Sequence, residues 1–253
     1  QQSKIEDPYV SYTKGLEAFK KNDFFYASKK FSEAEINFDI VDYAAKSAIM
    51  QCFSLYGINF YSEAEENLKR FIKTYPGNKY FIYANYLLAI VYFEQISDEK
   101  KDIDPLKKAD KQINFFINKF PNSEYSIDLK FKKDLIINQF AAKELYVAKF
   151  YIKTQKWVPA INRLKNIVDN YNETIFIEEA LHRLVEIYYH IGLLEESERY
   201  ASILGYNYNS SEWFEESYKI LNQNYVKKIE KDLKKEIEKN KKSMFDKIIE
   251  LVK

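Results

Sequence analysis

Small residues return along this chain at a nearly constant interval, and bulky ones follow them. In "GLEAFKKNDFFYASKKFSEA", Gly15, Ala27 and Ala34 are small and Phe31 is large. In "AIMQCFSLYGINFYSEAEENLKRFIKTYP", Cys52 takes the place of Gly15, Ala64 that of Ala27 and Leu68 that of Phe31. A third unit has Ala89 and Ala109, a fourth Ala148, Ala160 and Leu164, and a fifth, the most degenerate, Val185, Ser197 and Ala201. Small side chains let two helix backbones approach, and large ones fill the space beside the crossing. Gly15 and Ala27 are therefore expected to meet, with Phe31 plugging the gap toward the next unit.

This is the pattern of tetratricopeptide repeats, antiparallel helix pairs of about 34 residues. Pro76 and Pro121 close two of the second helices, where a missing N–H breaks nothing. "EQISDEKKDIDP" makes the turn of the third pair longer than normal by roughly one helical coil. "SSEWFEESYKIL" reads as a capping helix with Ser210 or Ser211 as N-cap. The expected fold is all-α: a superhelical array of about five tetratricopeptide-like hairpins, a capping helix and an extra helical tail. The competing architecture is an irregular helical bundle. Only 5 Gly and 5 Pro occur beside 22 Tyr and 19 Phe, and sparse turn punctuation favours long helices. The expected division is 1–135 for pairs one to three, 136–221 for pairs four and five with the cap, and 222–253 for the tail.

First helices line the inner surface of such an array. The expected groove residues are Tyr9, Tyr12 and Phe19 from the first pair, Phe53 and Tyr56 from the second, and Tyr83, Tyr86 and Phe93 from the third. Ile49 and Lys46 share that face. Tyr offers wide contact area, few rotors and a polar tip, so the groove suits a peptide carrying aromatic side chains. The alternative is that these rings pack against one another or against the third-pair insertion.

The formal net charge of +1 gives no pull toward nucleic acid. A single cysteine, Cys52, excludes an internal disulfide and occupies a small-residue core position. No apolar run reaches the roughly 18 residues of a membrane span. The chain starts at Gln1 without an initiator Met or a signal-like segment and reads as a processed or trimmed form. His182 and His190 are too few and too far off one helix face for a zinc pair and are expected to be polar surface residues. Every carboxylate is expected on a solvated helix face. No phosphate loop, nucleophile elbow or other catalytic constellation is present, so neither an enzyme nor a cofactor is expected. In the tail, Val226, Ile229, Leu233 and Ile237 form an apolar stripe continued by Met244, Ile248 and Leu251, amid ten basic and six acidic residues. That is an amphipathic helix for docking on the array, on another chain or on an anionic lipid surface, or one extending into solvent.

The stretches "RFIKTYPGNKY", "FFINKFPNSEY", "YVAKFYIKTQKWVPAINRL" and "LGYNYNSSEWFEESYKIL" resemble the BamD (ComL) family of outer-membrane assembly lipoproteins, in its α-proteobacterial branch. The resemblance covers roughly Pro8 to Leu221. It implies a non-enzymatic scaffold at the periplasmic face of the bacterial outer membrane, lipid-anchored through a cysteine upstream of Gln1. It implies binding to BamA POTRA domains by the C-terminal pairs, alongside other assembly lipoproteins. It further implies that the N-terminal pairs receive the aromatic-ended targeting signals of unfolded β-barrel proteins. Arg163 matches the family arginine at the BamA-facing surface, with Lys153 and Trp157 nearby; Lys153 stands where relatives can carry Arg. The other reading is a periplasmic repeat adaptor coordinating envelope or cell-division proteins; that class carries an N-terminal coiled coil, and none is visible before Pro8.

Overall fold

The structure, a computed structural model, describes residues 6–209 and 211–222. The amphipathic tail, from residue 223 on, lies outside the described residues. Ten helices follow one another: α1 Pro8–Lys20, α2 Phe24–Asn37, α3 Val41–Gly57, α4 Tyr61–Thr74, α5 Phe81–Glu94, α6 Asp104–Lys119, α7 Tyr125–Lys153, α8 Trp157–Asn170, α9 Ile177–His190 and α10 Leu194–Asn207. Residues 212–222 are helical too, and no strand occurs among the described residues. Each of α1 to α5 packs on the next, as do α8 on α9 and α9 on α10, and Ala148 of α7 shares a core with Ala160 of α8, giving five tetratricopeptide-like hairpins. The chain divides into two compact units between Phe140 and Ala141, inside α7, where the sequence reading places a division at 135/136.

The hairpins are built alike at the backbone. Four of the five turns hold one residue with positive φ: Asn22, Asn59, Gln155 and Gly192. Each is followed by an amide that reaches back five residues to close the first helix: Asp23 to the Ala18 carbonyl, Phe60 to Leu55, Lys156 to Tyr151 and Leu193 to Tyr188, all at 2.9–3.0 Å. This is the Schellman closure, which needs a left-handed residue. Asn and Gly adopt that region cheaply; Gln155 does so with a full side chain.

Between hairpins a second device repeats. Asn78, Ser123, Thr174 and Ser211 each donate their amide to the carbonyl of an aromatic residue three positions earlier, Tyr75, Phe120, Tyr171 or Tyr208. Ser211 then caps the terminal helical segment, accepting the Phe214 amide at 3.1 Å.

Packing explains the spacing of small residues. Cys52, Ala64, Leu68, Ala89, Ala109, Ala148, Ala160, Leu164, Val185 and Ser197 are all fully buried. In α10 the Ser197 hydroxyl donates to the Val185 carbonyl of α9 at 3.0 Å, so these helices touch where both residues are small. The expected partner at Ala201 is only half-buried; Tyr200 takes the core instead and stacks on Tyr188, rings 5.6 Å apart and 3° from parallel. Phe31 lies mainly within its own hairpin rather than between hairpins. A Cβ on Gly15 would sit 2.8 Å from the Phe31 ring. Glycine is needed here for room, not for backbone freedom. Gly205 is matched to Phe214 of the terminal segment in the same way, also at 2.8 Å.

Two expectations about polar residues are corrected. Glu35 is not on a solvated face: it is 7% exposed. Its oxygens accept both Arg70 guanidinium nitrogens at 2.6 and 2.7 Å and the Tyr75 hydroxyl at 3.1 Å. The bond from Arg70 to Glu35 raises the guanidinium further, and burial beside Glu35 pushes the Tyr75 hydroxyl up to about 12. His182 is not a surface residue either. It is buried in the second unit, with Nδ1 2.8 Å from the Ser217 hydroxyl and its ring 5.1 Å from that of Trp213. It tethers the terminal segment to α9. His190 is exposed beside Trp157, ring centres 4.9 Å apart.

Candidate functional site

In the first unit, a hollow of about 720 Å³ opens beside the first helices of three hairpins. Its walls are Phe19 of α1, Ile49, Met50 and Phe53 of α3, and Ile82 and Tyr83 of α5. Lys79 and Tyr80, in the turn before α5, and Ser123, Glu124 and Tyr125, at the start of α7, complete it. The volume falls within the roughly 300–1,000 Å³ of small-ligand and peptide side-chain pockets. Apolar walls with one ammonium and one carboxylate at the edge suit an apolar group bearing a charge.

The rings hold one another at fixed angles. Phe19 and Phe53 lie 5.6 Å apart, and Tyr83 and Tyr125 5.8 Å apart. Tyr125 stacks on Tyr86 at 4.5 Å. The Tyr86 hydroxyl donates to Asp128 at 3.0 Å, so this ring backs the wall rather than facing the opening. Burial pushes the Tyr83 hydroxyl up to about 12, and burial with the Asp128 bond raises Tyr86 as well. Both therefore stay neutral donors at any physiological pH.

Of the eight rings expected in the groove, the hollow gathers Phe19, Phe53 and Tyr83. Tyr86 stands directly behind Tyr125, and Tyr56 touches Phe53 and Tyr61. Tyr9 is 51% exposed and packs against Phe38 and Tyr43. Tyr12 contacts Phe31, with the Lys46 ammonium 5.3 Å from its ring centre. Phe93 lies under the Lys132 ammonium at 5.4 Å. Met50, Ile82 and the turn residues Lys79, Tyr80, Ser123, Glu124 and Tyr125 were not expected. The two turn motifs "PGNKY" and "PNSEY" repeat in the sequence, and that repetition was the signal that they share one environment.

In the second unit, Arg163 of α8 is largely exposed. One guanidinium nitrogen reaches both Glu144 oxygens at 3.1 Å. Around the pair, Tyr151, Pro159, Asn162 and Asn166 border a shallow depression. Trp157 opens α8, and Lys153 ends α7 with its side chain in solvent. Among the described residues no cluster of His, Cys, Asp and Glu could hold a metal, and no helix is long and apolar enough to cross a membrane. Burial pushes the Cys52 thiol up to about 12, which leaves it inert as a nucleophile.

Known proteins are similar to this sequence. A family model described as an outer membrane lipoprotein, YfiO, matches residues 6–204. The outer membrane protein assembly factor BamD of Caulobacter vibrioides is 34% identical over 229 residues, covering 90% of this chain and 75% of that protein. BamD of Rickettsia prowazekii is 35% identical over 214 residues, 85% of each. BamD of Buchnera aphidicola is 23% identical over 207 residues, 78% of this chain and 84% of the other. The family match over residues 6–204, with identities of 34% and 35% to the Caulobacter and Rickettsia proteins, places this chain in the YfiO (BamD) family of outer membrane lipoproteins.

Proposed function

We propose that this chain is a non-enzymatic scaffold and receptor in outer-membrane protein assembly, acting at the periplasmic face of the outer membrane from an N-terminal lipid anchor. Its hollow receives the aromatic-ended targeting segment of an unfolded β-barrel protein. The observation that carries this reading is the ring-walled hollow with Lys79 at its rim. A terminal aromatic residue presents a ring and a carboxylate together. Phe19, Phe53 and Tyr83 offer the ring edge and face contacts, and Lys79 offers the countercharge.

The test is a titration of a labelled peptide ending in Phe, followed by fluorescence anisotropy. Phe53→Ala with Tyr83→Ala is expected to weaken binding by about tenfold or more. Lys79→Ala is expected to cost several-fold and to erase the difference between the free acid and its amide. Lys79 lies in an exposed turn, so its loss does not disturb folding. Affinity unchanged in both variants would remove the hollow from the mechanism.

The second unit engages the POTRA domains of BamA through the Arg163 face. Among the described residues only one nitrogen of the Arg163 fork binds Glu144, which leaves the rest of the guanidinium to offer a partner carboxylate. Arg163→Glu would set two carboxylates against each other and is expected to lower POTRA affinity about tenfold. Glu144→Gln, which spares the cation, is expected to retain binding. Wild-type recovery of Arg163→Glu in a pull-down would exclude this face.

A further inference from the structure

On a different face of the first unit, α4 and α6 flank a groove of about 520 Å³. Its floor comes from α5: Asn85, Leu88 and Tyr92, spaced i, i+3, i+7 along one helix face. The α4 wall supplies Lys69 and Ile72; the α6 wall supplies Lys108, Lys111, Gln112 and Phe115. Nothing in this groove belongs to the hollow described above.

Its charge is one-sided. Three ammonium groups meet one carboxylate, Glu65, which binds Lys69 at 2.6 Å and stands 3.8 Å from Lys108. Glu65 also accepts the Tyr92 hydroxyl at 3.1 Å, so its charge is shared among three donors. The Lys69 and Lys108 ammoniums each hover 5.8 Å from the Tyr92 ring centre. Lys111 has no ion-pair partner among the described residues. Further along α6, Phe115 is 43% exposed, with the Lys119 ammonium 5.2 Å from its ring centre. The result is a cationic rim around an apolar floor with an exposed ring as its lip.

We propose that this groove docks an acidic peptide segment carrying one bulky apolar side chain. The cations call for carboxylates along the ligand, and Leu88, Ile72 and Phe115 call for an apolar anchor between them. A lipid acyl chain fits less well, because the Asn85 amide interrupts the apolar floor and Gln112 the α6 wall. Gln112 donates its side-chain amide to the Asn85 backbone carbonyl at 3.3 Å, which ties the α6 wall to the floor.

The full chain would be titrated with a labelled Glu-Glu-Leu-Phe-Glu-Glu peptide, in parallel with its Gln-substituted counterpart and with phosphatidylglycerol vesicles. Lys108→Glu with Lys111→Glu is expected to weaken the acidic peptide about tenfold. Phe115→Ala is expected to weaken it several-fold. Lys20→Glu with Lys21→Glu, an equal charge change in the exposed first turn, is expected to leave it unchanged, as is the peptide ending in Phe toward Lys108→Glu with Lys111→Glu. The idea is overturned if both charge reversals weaken binding equally, if the Gln peptide binds as well as the Glu peptide, or if the vesicles bind and the acidic peptide does not.

Discussion

Arg70→Ala is expected to destabilise the first unit by about 3 kcal/mol, the lower end of what breaking a buried ion pair costs. The lower end applies because the Arg70 side chain keeps 44% of its surface in solvent, while that of Glu35 keeps only 6%. Removing the guanidinium strips two short charge-assisted bonds from Glu35 and leaves it the Tyr75 hydroxyl alone. A buried carboxylate with one neutral donor pays most of its desolvation uncompensated. Tyr75→Phe removes only that third bond and is expected to cost about 1 kcal/mol. Glu35→Leu with Arg70→Leu removes both charges and is expected to recover most of the loss. Urea unfolding of the four proteins checks this. A double replacement as unstable as Arg70→Ala would mean that geometry, not an orphaned charge, sets the effect.

This ion pair also marks where a sequence stops being readable. Glu35 lies on α2 and Arg70 on α4, and neither has a neighbour along its own helix that announces the other. Helix faces are legible because their period is local; a partner one hairpin away is fixed only when the hairpins stack. The same holds for His182, whose partners Ser217 and Trp213 sit in the terminal segment. A solvated position was the expectation for both Glu35 and His182 because polarity usually means exposure.

The helix pairs themselves were legible from Gly15, Ala27, Cys52, Ala64, Ala148 and Ala160, since a close crossing tolerates few side chains. The fifth pair was less so. Ser197 marks its crossing, but the core residue beside it is Tyr200 rather than Ala201. A ring reaches the core from one position earlier on the helix, and small-residue spacing carries no trace of that. In the hollow, the rings of α1, α3 and α5 were visible as a periodic stripe. The turn residues at 79–80 and 123–125 were not, because Pro76 and Pro121 were read as stops. Their role comes from the turns that follow each proline, closed by the Asn78 and Ser123 amides, which carry these residues to the wall of the hollow.

Gly15 gives the largest packing effect, and one whose sign depends on its partner. Phe31→Ala is expected to cost about 3–5 kcal/mol, as for other fully buried rings truncated to a methyl. Gly15→Ala in the natural protein forces a methyl to 2.8 Å from that ring, and overpacking of this kind costs about 1–3 kcal/mol. In the Phe31→Ala background the same methyl enters the space the ring has left. There Gly15→Ala fills part of the cavity, and the helix preference of Ala over Gly, about 1 kcal/mol and present in both backgrounds, is no longer outweighed by overpacking. The substitution is therefore expected to destabilise one protein and stabilise the other. A thermodynamic cycle over the four proteins, read by urea unfolding, measures the coupling directly. If Gly15→Ala shifts stability equally in both backgrounds, the glycine is not the seat of the Phe31 ring, and the spacing of small residues in this family needs another cause than contact between a bare backbone and an aromatic face.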